Sequence, residues 1–325
     1  MKLRVAVIYG GRTGEHEVSV RSAQSILAGL DRDKYETIEY FIDQNGKWSP
    51  GPILPEPGAH SNIDVVFPVL HGTFGEDGTM QGLLELADLP YVGAGVLGSA
   101  VSMDKEMMKR VCKERMLPIV DYVTVTRRTP SVVEVCRRLP FPMFVKPANL
   151  GSSVGISKAH DEKELEAAFA LAKQYDRKII VERGIEGREL ECSVLGNDAP
   201  MASLPCEILP SREFYDYEDK YLLDMARTQV PADLPADRTD EIRRLAVECY
   251  RAVECEGMAR VDFFLERETN RLYINEINTI PGFTSISMYP RMWEHSGISF
   301  ATLLDQLIEF ALDRHRQKQV TRFAR

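Results

Sequence analysis

The sequence predicts a multidomain protein of mixed α/β and α+β architecture that begins with a doubly wound α/β domain. The chain has 325 residues, and because an ordinary domain has roughly 150 residues, several domains are expected. Near the N-terminus, buried strand-like runs alternate with helical patterns, which is typical of a doubly wound sheet. After Pro118 shorter strands dominate, which favours α+β units.

The first domain is predicted over residues 1–102. Its opening run, LRVAVIY at residues 3–9, is apolar without alternation, as in a strand that is covered on both faces of a parallel sheet. Gly10 and Gly11 end this strand. The elements that follow are a helix over 18–30, a strand over 35–43, a connection rich in Pro and Gly over 50–58 and a buried strand over 63–70.

A long helix is predicted from Ser102 until Pro118 stops it, and two further domains follow, over residues 103–186 and 187–325. The middle domain has strands over 119–126, 141–147 and 178–184 and a helix over 161–175 that Asp161 and Glu164 open as a capping box. The last domain has strands over 189–196 and 201–209, a polar aromatic loop over 212–224, a helix over 237–254, two strands and a helix over 299–313. The basic tail is expected to be a frayed end.

Composition and charge exclude several classes of protein. The chain is 44% hydrophobic and 27% charged, and 40 basic against 49 acidic residues give a net charge of -9, which argues against nucleic acid as a partner. The six cysteines form no C-x-x-C pair, which favours a reduced compartment. No apolar run approaches the ~18 residues of a membrane span, so a cytoplasmic protein is expected.

Polar side chains alternate along the two last strands. In ARVDFFLE, Arg260 and Asp262 share one face, and in INEIN, Glu276 and Asn278 do the same. Burying two carboxylates together is costly unless a cation joins them. Two carboxylates and an amide oxygen form a set of hard ligands that suits Mg²⁺. The alternative is an Arg–Asp ion pair beside a solvated glutamate.

Phosphate-binding residues are predicted in the middle domain, because no P-loop motif occurs in the chain. Lys146 ends a strand, and residues 151–155 (GSSVG) follow it as a loop of small residues whose backbone N–H groups can face an anion. The alternative is a simple hairpin turn. Between Glu182 and Glu189 the chain can present an apolar wall to adenine and a carboxylate to ribose; surface charge is the alternative for both.

These residues together resemble the ATP-grasp superfamily, and seven segments in order resemble the D-alanine:D-alanine ligase family within it. The segments are GGRTGEHEVS (10–19), LHGTFGEDGTMQG (70–82), SMDK (102–105), KPANLGSSVG (146–155), FYDYEDKY (214–221), ARVDFF (259–264) and EINTIPGFTSISMYP (276–290). The resemblance implies a pre-ATP-grasp N-terminal domain followed by the two-lobed ATP-grasp fold. It also implies ATP-driven ligation of two D-alanines, through an acyl phosphate, for peptidoglycan precursors. The implied cofactors are ATP and Mg²⁺, as a pair of ions, with Mn²⁺ as a substitute.

The resemblance also assigns roles to residues. The ATP-binding residues would be Lys105, Lys146, Ser153, Glu182, Arg183, Ile185, Glu189 and Lys220. The metal ligands would be Asp262, Glu276 and Asn278, and the catalytic residues would be Glu15, Ser152, Tyr221, Arg260 and Gly282. The D-alanine sites would use Glu15 and His71 for the first substrate and Ser287 and Met288 for the second. A homodimer is expected from the family.

Three other functions are weighed against this one. A D-alanine:D-lactate ligase is disfavoured, because those relatives have phenylalanine where this chain has Tyr221. An NAD-dependent dehydrogenase is disfavoured because GGRTGE is not G-x-G-x-x-G. A non-catalytic nucleotide-binding protein would be expected to lack a metal ligand or a phosphate lysine, and none is missing. The chain departs from many relatives at Ile280 and at Asn149-Leu150.

Overall fold

The computed structural model describes residues 2–126, 130–151, 154–209 and 227–322. Elements are numbered in chain order within these residues. The strands are β1 (Leu3–Gly10), β2 (Tyr35–Ile42), β3 (Trp48–Ser49), β4 (Val65–Val69), β5 (Tyr122–Val125), β6 (Met143–Pro147), β7 (Ser157–Ala159), β8 (Ile179–Arg183), β9 (Gly187–Leu195), β10 (Met201–Ala202), β11 (Cys206–Leu209), β12 (Arg227–Gln229), β13 (Met258–Glu266) and β14 (Leu272–Asn278). The helices are α1 (His16–Gly29), α2 (Thr79–Leu86), α3 (Val96–Met103), α4 (Lys105–Glu114), α5 (Val132–Cys136), α6 (Glu162–Ala172), α7 (Ala236–Ala252), α8 (Met288–His295) and α9 (Phe300–Gln319).

The first sheet has the order β3-β2-β1-β4, with β1 parallel to both β2 and β4. Both of its faces are covered, one by a core that includes residues of α1 and α9 and the other by a core that includes residues of α2. The predicted doubly wound domain is therefore confirmed. Gly10 ends β1 at a φ of +93°, and a Cβ there would lie 2.1 Å from the carbonyl oxygen of Ile42. The turn into the following loop therefore requires glycine.

The second sheet is antiparallel, with the order β5-β8-β6-β7, and α5 and α6 contribute to its core. The capping box predicted for α6 is only half formed. Asp161 accepts a hydrogen bond from the backbone N–H of Glu164 at 2.8 Å, but the Glu164 carboxylate accepts from His160, not from Asp161. The cap therefore reaches one residue further upstream than the motif predicts.

The long helix predicted from Ser102 is wrong in its bounds. Two helices, α3 and α4, meet at Asp104, whose extended backbone breaks the helical run. The Asp104 carboxylate accepts a hydrogen bond from the N–H of Met107 at 3.0 Å and thereby caps α4. This break sets the direction in which α4 points its lysines.

The third sheet has the order β12-β11-β9-β13-β14, with β10 also paired to β9. One face packs on α7. The frayed tail predicted after residue 313 is wrong for residues 314–319, because α9 continues to Gln319. Arg314 donates to the carbonyl oxygen of Tyr91 at 2.8 Å, and its guanidinium lies 4.3 Å from the centre of the Tyr91 ring. This anchoring on the first sheet stabilises the last turns.

Within the described ranges, no helix is both long enough and apolar enough to cross a membrane.

Candidate active site

The structure places the polar residues of β13 and β14 on one face of the third sheet. Arg260 pairs with Asn278 across the two strands, and Asp262 pairs with Glu276. The amide nitrogen of Asn278 lies 3.0 Å from a carboxylate oxygen of Asp262. A register shift after Asp262 leaves Asn275 without an opposite residue. This bulge coincides with a contact to the second sheet, because Asn275 accepts a hydrogen bond from Lys146 at 3.2 Å.

Cations contact both carboxylates of this face. The Arg260 guanidinium donates to both oxygens of Asp262 at 2.7 Å and lies 3.2 Å from Glu191. The Arg–Asp ion pair that was the alternative interpretation is therefore present. The Lys105 ammonium lies 3.3 Å from Glu276. Each acid thus sits beside a positive charge that could also contact an anionic ligand.

The oxygens of this face suit a hard divalent cation. Asp262 and Glu276 supply carboxylate oxygens, and Asn278 supplies an amide oxygen. Mg²⁺ binds sets of this kind together with phosphate oxygens or water. No group of three His, Cys, Asp or Glu side chains placed to hold a metal occurs among the described residues. The set on this face has only two such side chains, since its third member is an amide. A magnesium ion here would need further oxygens from its ligand.

Three buried charges link the second sheet to α4. The Glu182 carboxylate, on β8, lies 2.6 Å from the Lys146 ammonium and 2.9 Å from that of Lys109. Burial alone would raise the pKa of Glu182, but the two lysines lower it to about 2. Burial works against the charged form of Lys146, but Glu182 and Glu276 outweigh it and raise the pKa of Lys146. Glu182 and Lys146 are therefore both ionised at neutral pH.

The start of the loop after β6, before Ser152, is held by hydrogen bonds from Lys105 and to Asp176. Lys105 donates to the carbonyl oxygen of Leu150 at 2.9 Å. The backbone and side-chain nitrogens of Asn149 both donate to Asp176, at 2.8 and 3.0 Å. Asn149-Leu150 therefore positions the loop through the side-chain amide of Asn149 and through backbone groups that other residues could also supply. The predicted site residues Ser152, Ser153, Lys220 and Tyr221 lie outside the described residues.

Glu15 sits where the first and second sheets approach each other. A Cβ on Gly72 would lie 2.6 Å from the Glu15 carboxylate, and a Cβ on Gly151 would lie 3.1 Å from it. Both glycines therefore make room for this carboxylate. The loop after β4 thus brings Gly72, next to His71, against Glu15.

His71 and Glu76 together hold the peptide groups of Ile280, just after β14. The His71 Nδ1 lies 2.9 Å from the carbonyl oxygen of Ile280, and Glu76 accepts from the Ile280 N–H at 3.0 Å. Burial lowers the pKa of His71, and burial with the nearby Glu15 raises the pKa of Glu76 to about 8. The Ile280 side chain is buried, so the contacts to the site come from its backbone. An apolar side chain at this position is therefore compatible with both contacts.

The segment after Ile280 is also fixed by the first sheet. Ser22, on α1, accepts a hydrogen bond from the N–H of Phe283 at 3.1 Å and lies 3.4 Å from the Nε2 of His71. A Cβ on Gly282 would lie 2.7 Å from the Ser287 hydroxyl, so a side chain at position 282 would displace that hydroxyl. Ser287 precedes α8, and Met288 begins it. The N–H groups at this helix end are suited to a carboxylate.

One cleft of about 580 Å³ lies between the second and third sheets. Its lining includes nucleotide and metal residues that the sequence predicts: Lys105, Lys146, Glu182, Arg183, Ile185, Glu189, Asp262 and Glu276. Glu182 is only 2% exposed, and its carboxylate lies against the two lysines. The Arg183 guanidinium donates to Glu266 at 2.6 Å and packs on Tyr273. The side chains of Glu182 and Arg183 are therefore both bound to other protein side chains at this part of the cleft wall.

Sequence reasoning missed two residues of the site, Glu76 and Lys109. Glu76 lies within the segment HGTFGEDG, so the motif itself was a signal. Lys109 lies one turn after Lys105 on α4, and this spacing puts both lysines on one face of the helix. The lysine spacing was therefore the available signal for Lys109.

The low pKa of Glu182 predicts a loss of stability in acid. Its pKa in the unfolded chain is near 4.5 and in the fold about 2, so its contribution is complete above pH 4.5 and is lost as the pH falls through 2. This contribution is on the order of 3 kcal/mol. Urea unfolding at several pH values should show a smaller acid loss for Glu182→Gln than for the wild type. Equal pH slopes for the two proteins would contradict the prediction.

Comparisons with known proteins agree with this geometry. The family model described as "D-ala D-ala ligase C-terminus" matches residues 111–309, and "D-ala D-ala ligase N-terminus" matches residues 4–56 and 54–94. The chain is 94% identical to a D-alanine–D-alanine ligase of Solibacter usitatus, with all of both chains covered. It is 50% identical to that of Thermoanaerobacter sp. (strain X514), with 98% of each chain covered.

Solved structures are similar over almost the whole chain. The D-alanine–D-alanine ligase of Coxiella burnetii superposes with a TM-score of 0.88 at 42% identity, covering 98% of this chain and 96% of that one. The VanG D-Ala:D-Ser ligase of Enterococcus faecalis superposes with a TM-score of 0.86 at 35% identity, covering 96% and 100%. The chain therefore belongs to the D-alanine–D-alanine ligase family.

Proposed function

We propose that this chain uses ATP to join two D-alanines into D-alanyl-D-alanine for peptidoglycan precursors. The relatives at 94% and 50% identity are D-alanine–D-alanine ligases, so the D-lactate alternative is not favoured. The reaction forms a C–N bond, and membership of the family implies ATP use. Because one structural neighbour is a D-Ala:D-Ser ligase, the acceptor is the substrate in which relatives differ.

One observation carries the assignment of the site. Lys105 and Lys146 line the same cleft as Asp262 and Glu276, so phosphate-binding cations and metal-binding acids face each other. Glu15 contacts the loop after β6 near Gly151, at the side of the cleft where a substrate would meet the phosphates. This arrangement supports phosphoryl transfer from a nucleotide to a small acid.

The nucleotide would lie between the second and third sheets. Lys105 and Lys146 would bind its phosphates, with Ser153 and Lys220 from the loops. The segment from Glu182 through Arg183 to Ile185 would surround adenine, and Glu189 would bind the ribose. Asp262, Glu276 and Asn278 would hold two magnesium ions, and Mn²⁺ could take their place. The positive charge of these ions would offset the negative charge of the phosphate oxygens.

The chain's own residues would orient both chemical steps. Glu15 would hold the ammonium group of the first D-alanine, and His71 would lie near its carboxylate. This carboxylate attacks the γ-phosphorus, and an acyl phosphate and ADP form. The amine of the second D-alanine then attacks the acyl carbon, and phosphate leaves. Arg260 and the N–H of Gly282 would stabilise the negative oxygen of the tetrahedral intermediate.

Other groups would bind the second substrate and close the site. Ser287 and the N–H of Met288, at the start of α8, would bind the carboxylate of the second D-alanine. Ser152 and Tyr221 would close over both substrates and exclude water from the acyl phosphate. Tyr221 also bears on the acceptor, since its hydroxyl favours the amide product over the ester.

The remaining proposals concern assembly and location. We propose a homodimer, because Leu86 of α2 and Leu97 of α3 are 64% and 61% exposed and offer apolar contact area. Sedimentation equilibrium should then give about twice the mass of the 36.7 kDa chain. We propose a cytoplasmic location from the unpaired cysteines; cell fractionation tests it.

Phosphate release that depends on D-alanine tests the function. The purified protein with magnesium and ATP should release phosphate when D-alanine is added, but not with L-alanine, and mass spectrometry should find one D-alanyl-D-alanine per phosphate. Adding D-lactate or D-serine as a competing acceptor should leave the dipeptide as the main product. ATP hydrolysis that is indifferent to D-alanine would contradict the function and would leave a nucleotide-binding protein as the better interpretation.

A further inference from the structure

Lys109 is a buried lysine that none of the roles above uses. Its side chain is 0% exposed, and its ammonium lies 2.9 Å from Glu182. Glu182 is also the partner of Lys146, at 2.6 Å. In the part of the chain that the structure describes, no other acid makes an ion pair with Lys109. The cluster of Lys109, Glu182 and Lys146 thus shares one carboxylate between two ammonium groups.

The charge of this cluster matters for a triphosphate. Two positive charges and one negative charge leave one net positive charge at the wall of the cleft. Without Lys109, Lys146 and Glu182 would form a neutral pair, and Lys146 would bring little net attraction to an anion. A buried charge costs free energy unless it is paired or serves a ligand. The one positive charge that Glu182 does not neutralise therefore points to a negative ligand that completes the buried cluster.

The fold gives Lys109 no freedom to serve the ligand directly. It lies one turn after Lys105 on α4, whose N-terminus is fixed by the Asp104 cap. Lys105 lines the cleft, whereas Lys109 is not among the lining residues. Lys146 does line the cleft. Lys109 must therefore act through Glu182 on Lys146.

We propose that Lys109 is a positioning residue for nucleotide binding: it shares the charge of Glu182, so that the charge of Lys146 remains available to the triphosphate. This inference rests on the proposed function, since it requires ATP in the cleft. It predicts an effect on ATP and not on D-alanine, because Lys146 and Glu182 line the cleft, whereas neither Glu15 nor His71 is among the lining residues that the structure describes.

Lys109→Met tests the proposal by calorimetric titration with magnesium and a non-hydrolysable ATP analogue. The dissociation constant is expected to rise about tenfold, whereas Lys109→Arg, which keeps the charge, should stay within about threefold of the wild type. The KM for D-alanine should change less than about twofold. The matched control is Lys113→Met, one turn further along α4 at an exposed position, which should leave binding unchanged.

A double-mutant cycle separates this role from a purely structural one. In the Glu182→Gln background the carboxylate that Lys109 shares with Lys146 is absent, so adding Lys109→Met should change the dissociation constant less than about twofold. If Lys109→Met does not fold, Lys109→Gln, which keeps a hydrogen-bond donor for Glu182, takes its place in the cycle. Unchanged nucleotide affinity in the folded single variant, or an equal rise in both backgrounds, would overturn the proposal. If the wild type itself binds no nucleotide, the proposed function fails instead.

Discussion

Glu276→Gln is expected to lower the turnover number about 10³-fold, which corresponds to about 4 kcal/mol of transition-state stabilisation. The change removes a negative charge but keeps the side-chain shape. Glu276 faces Asp262 across the two strands, so a metal bound there would lose one of two carboxylates. Lys105 would also lose the acid that lies 3.3 Å from its ammonium. Steady-state phosphate release with saturating D-alanine measures the effect.

The matched control is Glu268→Gln, an exposed acid in the connection between β13 and β14. It makes the same chemical change on the same pair of strands but outside the cleft, so activity should stay within about twofold of the wild type. The melting temperature of both variants should be close to that of the wild type. If Glu276→Gln retains more than about a tenth of the activity, Glu276 is not a metal ligand.

Arg260→Lys is expected to lower kcat by about 10²- to 10³-fold, the usual cost of losing one donor to an oxyanion. Arg260 donates to both oxygens of Asp262 and also lies 3.2 Å from Glu191. Lysine keeps the charge but has no planar fork, so it cannot make all of these contacts while it faces the substrate. Single-turnover measurement of dipeptide formation tests the loss at the chemical step.

Arg243→Lys is the control for this prediction. Arg243 also uses its fork, on the carbonyl oxygen of Ala202 at 3.2 and 3.1 Å, but it lies on α7 outside the cleft. The activity of this variant should be unchanged. Equal kcat values for Arg260→Lys and the wild type would remove Arg260 from the chemical step and leave it as a partner of Asp262.

Strand periodicity was sufficient to predict the acidic face of the third sheet. Alternation along β13 and β14 gives the faces of Arg260, Asp262, Glu276 and Asn278, and their register brings them together. The bulge at Asn275 was not predictable, because it depends on how two distant strands pair. For the same reason the contact between Asn275 and Lys146 could not be read from the sequence.

Which charged side chains are buried was harder to predict from the sequence than which face of a strand a side chain occupies. Lys109 lies in the charged segment KEMMKRVCKE, where a lysine looks like an exposed residue, yet its side chain is fully buried and its ammonium lies 2.9 Å from Glu182. Glu76 gains its role from the backbone of Ile280, which is 204 residues away in the chain. The basic tail looked frayed because its contact with Tyr91 is also distant. Long-range packing decides each of these features.

Asp262, Glu276 and Asn278 are proposed to form the metal site of a bound triphosphate. The most direct test is to measure the affinity for Mn²⁺ in the presence of nucleotide. Electron paramagnetic resonance can follow the titration of Mn²⁺ into the protein with a non-hydrolysable ATP analogue. The wild type and Glu268→Gln should bind the ion together with the nucleotide, and Asp262→Asn and Glu276→Gln should each bind it at least about tenfold more weakly. Equal Mn²⁺ affinity in all four folded proteins would contradict the assignment of these residues as metal ligands.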